Sequence, residues 1–233
     1  MTRYFIFSAI ALIISGCSYL PFVGEKIDPA DFDPQRIAQH LEKQRKKAKN
    51  ISASAQIMLD SPNFSVSVQA ALGVEDSTAS ATVYNVFGSK WGNVEITDNR
   101  VSWTEEKTGE HGYAGLSSFL DFETLPFSAI DLLIGILPPI GLAKIDSFSA
   151  SGNDLFWEFN QDGKTIRCWF DTDNYLIRKV EIIDHDKKIF KYKIQRIILV
   201  GDVFMPRFIQ IFMPTRKSMT SIFYEDQTIE RKN

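Results

Sequence analysis

The sequence predicts a mainly β (α+β) domain: an antiparallel sheet of about eleven strands that curls into an incomplete barrel, covered by an N-terminal helix and a short central helical lid. Apolar and polar residues alternate through residues 64–72, which is typical of a strand with one covered face. Similar short runs recur between turn residues, and only two segments show helical spacing. A sheet this extended must curl to bury its apolar face, and the helices would cover the opening.

The first helix is predicted from Asp33, a suitable N-cap, and Pro34 at the first helical position to about residue 49. Ile37 and Leu41 form its thin apolar stripe. Basic residues in its last turn suit the negative end of the helix dipole. A contact of these basic residues with anionic lipid headgroups is the alternative interpretation.

Five strands are predicted after this helix and six after a central break. The first five lie near residues 52–59, 64–72, 79–87, 92–97 and 100–104. The last six lie near residues 155–159, 164–170, 175–183, 188–200, 203–213 and 218–226. Turn residues separate the strands, and Asp162-Gly163 is a strong hairpin signal.

The central break is predicted to hold the short amphipathic lid helix. Phe127, Ile130 and Leu133 fall at helical spacing. Pro126 near the start and Gly135 at the end supply the start and stop signals of a helix.

The N-terminus resembles a bacterial lipoprotein signal peptide. A single positive charge precedes an apolar run over residues 4–14 that is too short to cross a bilayer, and Ile14-Ser15-Gly16-Cys17 matches the lipobox. The resemblance implies cleavage between Gly16 and Cys17 and attachment of diacylglycerol to Cys17. An ordinary signal peptide cut elsewhere, or an uncleaved anchor, is the alternative.

The chain is therefore expected to have four parts. These are a signal peptide over 1–16, a lipid-anchored tether over 17–33, a single domain over 34–226 and a polar tail over 227–233. Ser18, where an Asp would mark inner-membrane retention in enterobacteria, favours the outer membrane, with the domain facing the periplasm. No later apolar run reaches about 18 residues, so we expect no further membrane crossing.

The composition is that of an ordinary globular protein, with 44% apolar and 24% charged residues and a net charge of −3. This charge argues against nucleic acid as a partner. If Cys17 carries lipid, Cys168 has no intramolecular disulfide partner. Alternation places Cys168 on one face with Ile166 and Phe170, which predicts a buried structural thiol.

The residues that could support catalysis or metal binding are poorly arranged, and we expect no enzyme, no metal site and no cofactor. His40, His111 and His185 fall in a helix, a loop and a hairpin turn, without metal-ligand spacing. Asp184-His185-Asp186 offers ligands for an ion, but short Asp-rich segments are common in hairpin turns because their side chains suit the turn backbone, so we interpret this segment as a turn. The sequence contains no Gly-x-Ser-x-Gly elbow, P-loop or Rossmann fingerprint.

The order of elements resembles the LolA/LolB superfamily, the periplasmic carrier and outer-membrane receptor of lipoprotein sorting. Cys17 after its lipobox, Val86–Ile96 and Leu125–Gly135 carry the resemblance. It implies an apolar cavity that accepts acyl chains, and a role in transporting lipoproteins or lipids to the outer membrane. LolB presents an exposed apolar residue on a loop between early strands, whereas the loop 73–77 offers only Val74 beside two acids.

Nine apolar residues are the candidate cavity lining: Phe64, Val66, Val68, Phe87, Phe127, Ile130, Leu133, Trp157 and Phe159. An apolar curved sheet with an amphipathic lid suits lipid or lipoprotein acyl chains. The same residues would equally form a closed core, since lining and core share one composition. The alternative function is a non-enzymatic accessory lipoprotein that scaffolds an envelope protein complex through a patch at Tyr113, Phe119 and Phe122.

Overall fold

The computed structural model describes residues 33–97, 100–115, 125–151 and 153–230. The predicted signal peptide, its cleavage site and Cys17 lie outside these ranges. The described residues form two α-helices, α1 (Pro34–Lys47) and α2 (Ala129–Ile134), and thirteen strands. The strands are β1 (Asn50–Ser61), β2 (Phe64–Glu75), β3 (Thr78–Tyr84), β4 (Lys90–Ile96), β5 (Arg100–Glu105), β6 (His111–Gly115), β7 (Ser147–Ser151), β8 (Asp154–Gln161), β9 (Lys164–Asp171), β10 (Leu176–Asp184), β11 (Lys187–Val200), β12 (Val203–Met213) and β13 (Ser218–Ile229).

All thirteen strands belong to one antiparallel sheet, in the order β6-β5-β4-β3-β2-β1-β13-β12-β11-β10-β9-β8-β7. The first and last strands pair in the middle, where Ile51 lies opposite Ile229 and Ile57 opposite Ile222. Strands β6 and β7 are the two edges of the sheet. The mainly β fold with an incomplete barrel is therefore confirmed.

The described residues hold thirteen strands rather than about eleven, because β6 and β7 were not predicted. Their sequences, HGYAG and SFSAS, consist mainly of small and polar residues with weak strand propensity. Each is ordered by pairing with a single neighbour, β5 or β8. Strand β13 also continues to Ile229, past residue 226, where the domain was expected to end, and into the expected polar tail over 227–233.

Helix α1 begins where its sequence signals place it. The Asp33 side chain accepts a hydrogen bond from the Gln35 backbone N–H at 2.9 Å, and Pro34 occupies the first turn. The helix ends at Lys47, two residues before the predicted end, because the chain enters β1 at Asn50. Ile37 and Leu41 are fully buried, so the thin apolar stripe anchors the helix to the sheet.

The second half of the sheet carries the closed core. Both helices contact β12. Ile166, Cys168 and Phe170 of β9 face inward and are buried, which confirms the predicted environment of the thiol. Burial raises the pKa of the Cys168 thiol well above its usual value, so this side chain is a packing residue.

The inner face of the first half is less covered. Ala70 of β2 lies opposite Val83 of β3, which lies opposite Gly92 of β4, and these positions define the inward side. Val83 is only half-buried there, and Trp103 of β5, opposite Val94, is 41% exposed. The curled sheet therefore presents an apolar strip that begins next to the core.

Candidate functional site

An apolar cleft lies between α2 and the sheet where the two halves of the sheet meet. It is shallow: the space inside it is only about 20 Å³, and the whole depression amounts to about 330 Å³ when the part open to solvent is counted. Leu133 and Ile134 of α2 line one side. The sheet side is lined by Ile51, Ala53, Leu72, Gly73, Val74, Ala79, Ser80, Met205, Tyr224 and Gln227. This lining is mostly hydrocarbon, which suits an apolar chain.

Helix α2 is short and depends on its caps. Ser128 is the N-cap: its Oγ accepts from the Asp131 backbone N–H at 3.1 Å, and Asp131 Oδ2 accepts from the Ser128 backbone N–H at 2.9 Å. This capping box starts the helix at Ala129 rather than at Pro126. The predicted end at Gly135 is confirmed, with a left-handed φ of 77°.

Gly135 also permits close packing of α2 on the sheet. A Cβ at this position would lie 2.2 Å from Cγ of Pro206 in β12. The left-handed φ disfavours any side chain there as well. Glycine is therefore required at position 135 both to end the helix and to let it pack closely against β12.

Two hydrogen bonds hold α2 over the cleft. Nη2 of Arg45, on α1, donates to Asp131 Oδ1 at 2.7 Å. The hydroxyl of Tyr224, on β13, donates to the backbone oxygen of Leu133. Burial lowers the pKa of Arg45, but Asp131 and Glu42 outweigh it and the pKa is raised. A small lid is thus held by a few polar contacts above an apolar space.

Two buried polar atoms near this lid lack hydrogen-bond partners within the described ranges. Gln227 lines the cleft; its Nε2 donates to the Pro206 backbone oxygen at 3.1 Å, but its Oε1 accepts from no described group. The hydroxyl of Tyr192, on β11, is fully buried and has no hydrogen-bond partner in the described part of the chain. Burial raises the pKa of this hydroxyl, with further contributions from Tyr224 and Asp131. Such unpaired groups are costly in a native structure.

A second, amphipathic groove adjoins the cleft. It lies between the end of α1, the start of α2 and the β2–β3 turn, encloses about 830 Å³ including open solvent, and shares Ile134 with the cleft. Its charged lining is Glu42, Arg45, Lys46, Lys49, Asp76 and Asp131. Acidic and basic side chains are equal in number, so this groove has no net preference for an anion.

The nine predicted lining residues do not come together. Leu133 lines the cleft. Phe127, Ile130, Trp157 and Phe159 are buried in the core, and Val66 and Val68 are half-buried on β2. Phe64 is 57% exposed at the start of β2, and Phe87 is 89% exposed.

Phe87 belongs instead to a protruding apolar tip formed by the β3–β4 turn. Val86 beside it is 73% exposed. Asn85 Oδ1 accepts from the backbone N–H groups of Phe87 and Ser89 at 2.9 and 3.0 Å, and Gly88 has a positive φ of 79°. Asn85, followed three residues later by Gly88 between two strand patterns, is a turn signal that could have located this tip.

The loop compared with LolB from the sequence has a different place. Gly73–Glu75 belongs to β2, and Val74 is buried against the core. The exposed apolar residues between early strands are therefore Val86 and Phe87, one hairpin later in the chain.

The histidines and the aromatic patch lie away from the cleft. His40 stacks on Tyr175 with ring centroids 4.5 Å apart, and His111 belongs to β6 rather than to a loop. His185 lies in the β10–β11 turn with its Nδ1 2.6 Å from Asp184 Oδ1. Tyr113 is 70% exposed, with the guanidinium of Arg100 4.6 Å from its ring centre. Phe119 and Phe122 lie outside the described residues.

The described residues form neither a metal-ligand cluster nor a membrane-spanning helix. Within them, no group of three or more His, Cys, Asp and Glu side chains is placed to hold a metal ion. None of the described helices has the length and apolar character needed to cross a bilayer.

Comparison with known proteins identifies the fold. No protein-family model and no curated protein matches the chain. A LolA superfamily protein from Nitrosomonas europaea matches with a TM-score of 0.57 and 9% identity, over 87% of this chain and 96% of that one. An outer membrane lipoprotein-sorting protein domain from Vibrio parahaemolyticus matches with a TM-score of 0.56 and 10% identity, over 86% and 95%. A DUF1329 family protein from Desulfovibrio piger matches with a TM-score of 0.53 and 11% identity, over 87% and 95%. The resemblance to the LolA/LolB superfamily is thus confirmed for the architecture: the chain has a LolA-like fold.

Proposed function

We propose that this protein is a lipid-anchored periplasmic lipoprotein that binds the acyl chains of lipids or lipoproteins. Its role would lie in transport of lipoproteins or lipids to the outer membrane, without catalysis. Cys17 would carry the anchor. The observation that carries the proposal is the apolar cleft between α2 and the sheet, lined by Leu133, Ile134 and the inner face of the central strands.

The energetics of the cleft favour an acyl chain. Each buried CH₂ group contributes about 0.8 kcal/mol. The cleft is small, but it borders an inner face where Val83, Val94 and Trp103 remain partly exposed. A chain longer than the cleft would extend over this face and cover it.

Entry of a chain requires α2 to move. The hydrogen bonds from Arg45 to Asp131 and from Tyr224 to Leu133 would break, and Leu133 and Ile134 would leave the sheet. Both bonds tie a helix of six residues to the rest of the domain. Such an element can switch between a closed and an open position.

The apolar tip supports a membrane-facing role. Val86 and Phe87 project from a turn that Asn85 braces, so the exposed rings and methyl groups are presented rather than buried. Phe87 would insert into the bilayer interface to which the anchor holds the protein. The Vibrio parahaemolyticus domain of similar fold is described as lipoprotein-sorting, which agrees with this role.

The proposed function can be tested by filling the cleft with a larger side chain. Ala53 lines it, and Ala53→Phe should abolish saturable binding of an apolar fluorescent probe to the full chain carrying Cys17→Ser. Ala71→Phe is the matched control, because Ala71 is exposed on the opposite face of β2. Mass spectrometry of gently purified wild-type protein should detect an acyl-containing ligand. Absence of both the ligand and saturable probe binding would refute the proposal.

A scaffolding role for an envelope protein complex is the second candidate. The observation that favours it is the exposure of Tyr113 and Phe87 on strands and turns away from the cleft. Under this alternative, photo-crosslinkers at these two positions would capture one envelope protein, and Ala53→Phe would leave that capture unchanged.

A further inference from the structure

We propose that the outer face of β10 and β11 is a docking surface for an acidic, extended segment of a partner protein. Four cations on this face, here called the basic strip, would bind the carboxylates of that segment: Lys179, Lys191, Lys193 and Arg196. None of them lines the cleft under α2. The basic strip is therefore a second surface, and its use does not depend on acyl-chain binding.

Strand β11 has an unusual charge for this protein. The whole chain has a net charge of −3, yet the strand, KKIFKYKIQRIILV, contains five basic residues and no acidic one. Tyr192 and Ile194 are buried in the core, so Lys191 and Lys193 project from the opposite face of the sheet. Side chains two residues apart on a strand are separated by about 7 Å. The positive charge is thus repeated regularly along one face.

The charge of Lys193 is not compensated by its neighbours in the sheet. It lies directly opposite Lys179 of β10 on one side and Gln210 of β12 on the other. Like charges at opposed positions of an antiparallel pair are destabilising. Glu181, two residues along β10, already accepts from Lys179 and Lys188 at 3.0 and 2.8 Å. Because Lys193 forms no ion pair within the described ranges, its ammonium group is available to an anion from another molecule.

Arg196 reaches the same face through its backbone conformation. Regular alternation would turn its side chain inward with Tyr192 and Ile194, but Arg196 has a left-handed φ of 54°, which residues other than glycine seldom adopt. Its guanidinium lies 5.8 Å from the ring centre of Phe223, which is paired with Phe208 on the outer face. This uncommon backbone therefore adds an exposed cation to the basic strip.

An open groove on this face provides room for the segment. It amounts to about 1250 Å³ when the part open to solvent is counted, and Lys193 and Arg196 belong to its lining. Both acids of that lining, Asp154 and Asp171, pair with Arg178. They therefore do not neutralise the two other cations, and the groove attracts negative charge.

The spacing and the shape favour a peptide as the occupant. Carboxylates at every second residue of an extended peptide repeat at about 7 Å, the same interval as Lys191 and Lys193. A recessed groove admits such a segment, whereas a bilayer surface would contact projecting groups first. The most exposed apolar side chains among the described residues, Val86 and Phe87, lie on the β3–β4 turn and not beside the basic strip.

The primary test uses the full chain carrying Cys17→Ser and two fluorescently labelled peptides of identical composition. Threonine and glutamate alternate in the first peptide, and all the glutamates are contiguous in the second. Fluorescence anisotropy should show that the alternating peptide binds at least about threefold more tightly. Raising NaCl from about 0.05 to about 0.5 M should weaken its binding by about tenfold. Equal affinity for the two peptides, or no saturable binding of either, would overturn the proposal.

Substitutions then assign the binding to the basic strip. Lys193→Gln should weaken binding of the alternating peptide about threefold, and Lys193→Gln combined with Arg196→Gln about tenfold. Both side chains are exposed, so the fold should be retained. Lys107→Gln is the matched control, because it removes the same charge from an exposed position on the β5–β6 turn. Equal weakening by Lys107→Gln and Lys193→Gln would overturn the proposal.

A vesicle assay separates a peptide-binding surface from a lipid-binding one. Lys193→Gln should leave co-sedimentation with phosphatidylglycerol-containing vesicles within about twofold of that of the parent protein carrying Cys17→Ser. If it weakened vesicle binding as strongly as it weakened peptide binding, the basic strip would be a surface for anionic lipid, and the choice of an acidic peptide would be overturned.

Discussion

Arg45 on α1 and Asp131 on α2 form the ion pair that joins the two helices of the domain, with Nη2 and Oδ1 2.7 Å apart. The Asp131 side chain is nearly buried, while Arg45 is about one-third exposed. Asp131 also caps its own helix through Ser128. One carboxylate thus both starts the lid and ties it to α1.

Removal of Arg45 should loosen the lid. Arg45→Met leaves Ser128 as the only partner of the Asp131 carboxylate among the described residues, and we expect the free energy of unfolding to fall by about 1–2 kcal/mol in urea titration. Probe entry into the cleft should also become faster. Lys46→Met is the control, because Lys46 is exposed on the same turn and makes no described ion pair; it should stay within about 0.5 kcal/mol of wild type. If the two variants had equal unfolding free energies and equal rates of probe entry, the Arg45–Asp131 ion pair would not be what holds α2 over the cleft.

Gly135→Ala should be strongly destabilising. The added Cβ meets both a left-handed φ and the ring of Pro206 at 2.2 Å, and we expect a loss of about 2–4 kcal/mol in unfolding free energy. Gly163→Ala measures the cost of the left-handed backbone alone, because Gly163 has a φ of 75° but no atom lies within 4 Å of the added Cβ. It should lose only about 1–2 kcal/mol. Thermal unfolding of both variants measures the difference.

Tyr192→Phe should raise stability. The substitution removes a buried hydroxyl without a described partner, so we expect a gain of about 0.5–1.5 kcal/mol in unfolding free energy. Tyr224→Phe is the matched comparison, since it removes the hydroxyl that donates to Leu133 and should cost about 1 kcal/mol. A loss of stability in Tyr192→Phe would mean that its hydroxyl has a partner in the native protein.

Glu181 should give the domain a component of acid sensitivity. Burial raises its pKa, but hydrogen bonds from Lys188 and Lys179, at 2.8 and 3.0 Å, outweigh burial and lower the pKa below the ordinary 4.5. Because the folded pKa is depressed, this stabilisation is full above about pH 5 and is lost as the pH falls through the lowered value. Glu181→Gln should remove about 1 kcal/mol at pH 7 and flatten the stability curve between about pH 5 and 3. Exposed Glu95→Gln is the control and should change the free energy of unfolding at pH 7 by less than about 0.5 kcal/mol.

Phe87 should contribute to membrane binding. Burial of a Phe side chain contributes about 1.5–3 kcal/mol, so Phe87→Ser should weaken vesicle co-sedimentation of the full chain carrying Cys17→Ser by at least about tenfold. Phe212→Ser is the control, because Phe212 is partly exposed within β12 rather than at a turn. If both variants lost vesicle binding to the same extent, the exposed β3–β4 turn would have no specific role in membrane binding.

Local signals predicted most of the fold. Asp33 and Pro34 located α1, Gly135 located the end of α2, and Asp162-Gly163 located a hairpin, because caps and turns depend on residues close in sequence. Strands β6 and β7 were missed because their pattern is weak and their pairing partners supply the order. Edge strands of small residues carry little of the periodic signal on which such predictions depend.

The candidate lining was less predictable than the fold. Period-two alternation identifies one face of a strand, but it does not say whether that face meets core, cleft or solvent. Phe87 and Trp157 both continue apolar strand patterns, yet one is exposed at a turn and the other is fully buried. The cleft instead joins Ile51, Leu133 and Tyr224 from distant parts of the chain.

The sequence by itself determined the mainly β class, the helix caps and hairpin turns, and the buried position of Cys168, since each follows from local periodicity or backbone preference. Only the tertiary structure decided that β1 pairs with β13 to bring the two halves together and that α2 closes a cleft there. It alone placed Gln227 in the lining of that cleft, with an Oε1 that accepts from none of the described residues. The physical reason is that strand pairing and lid packing depend on contacts between residues far apart in the chain, which local patterns do not encode.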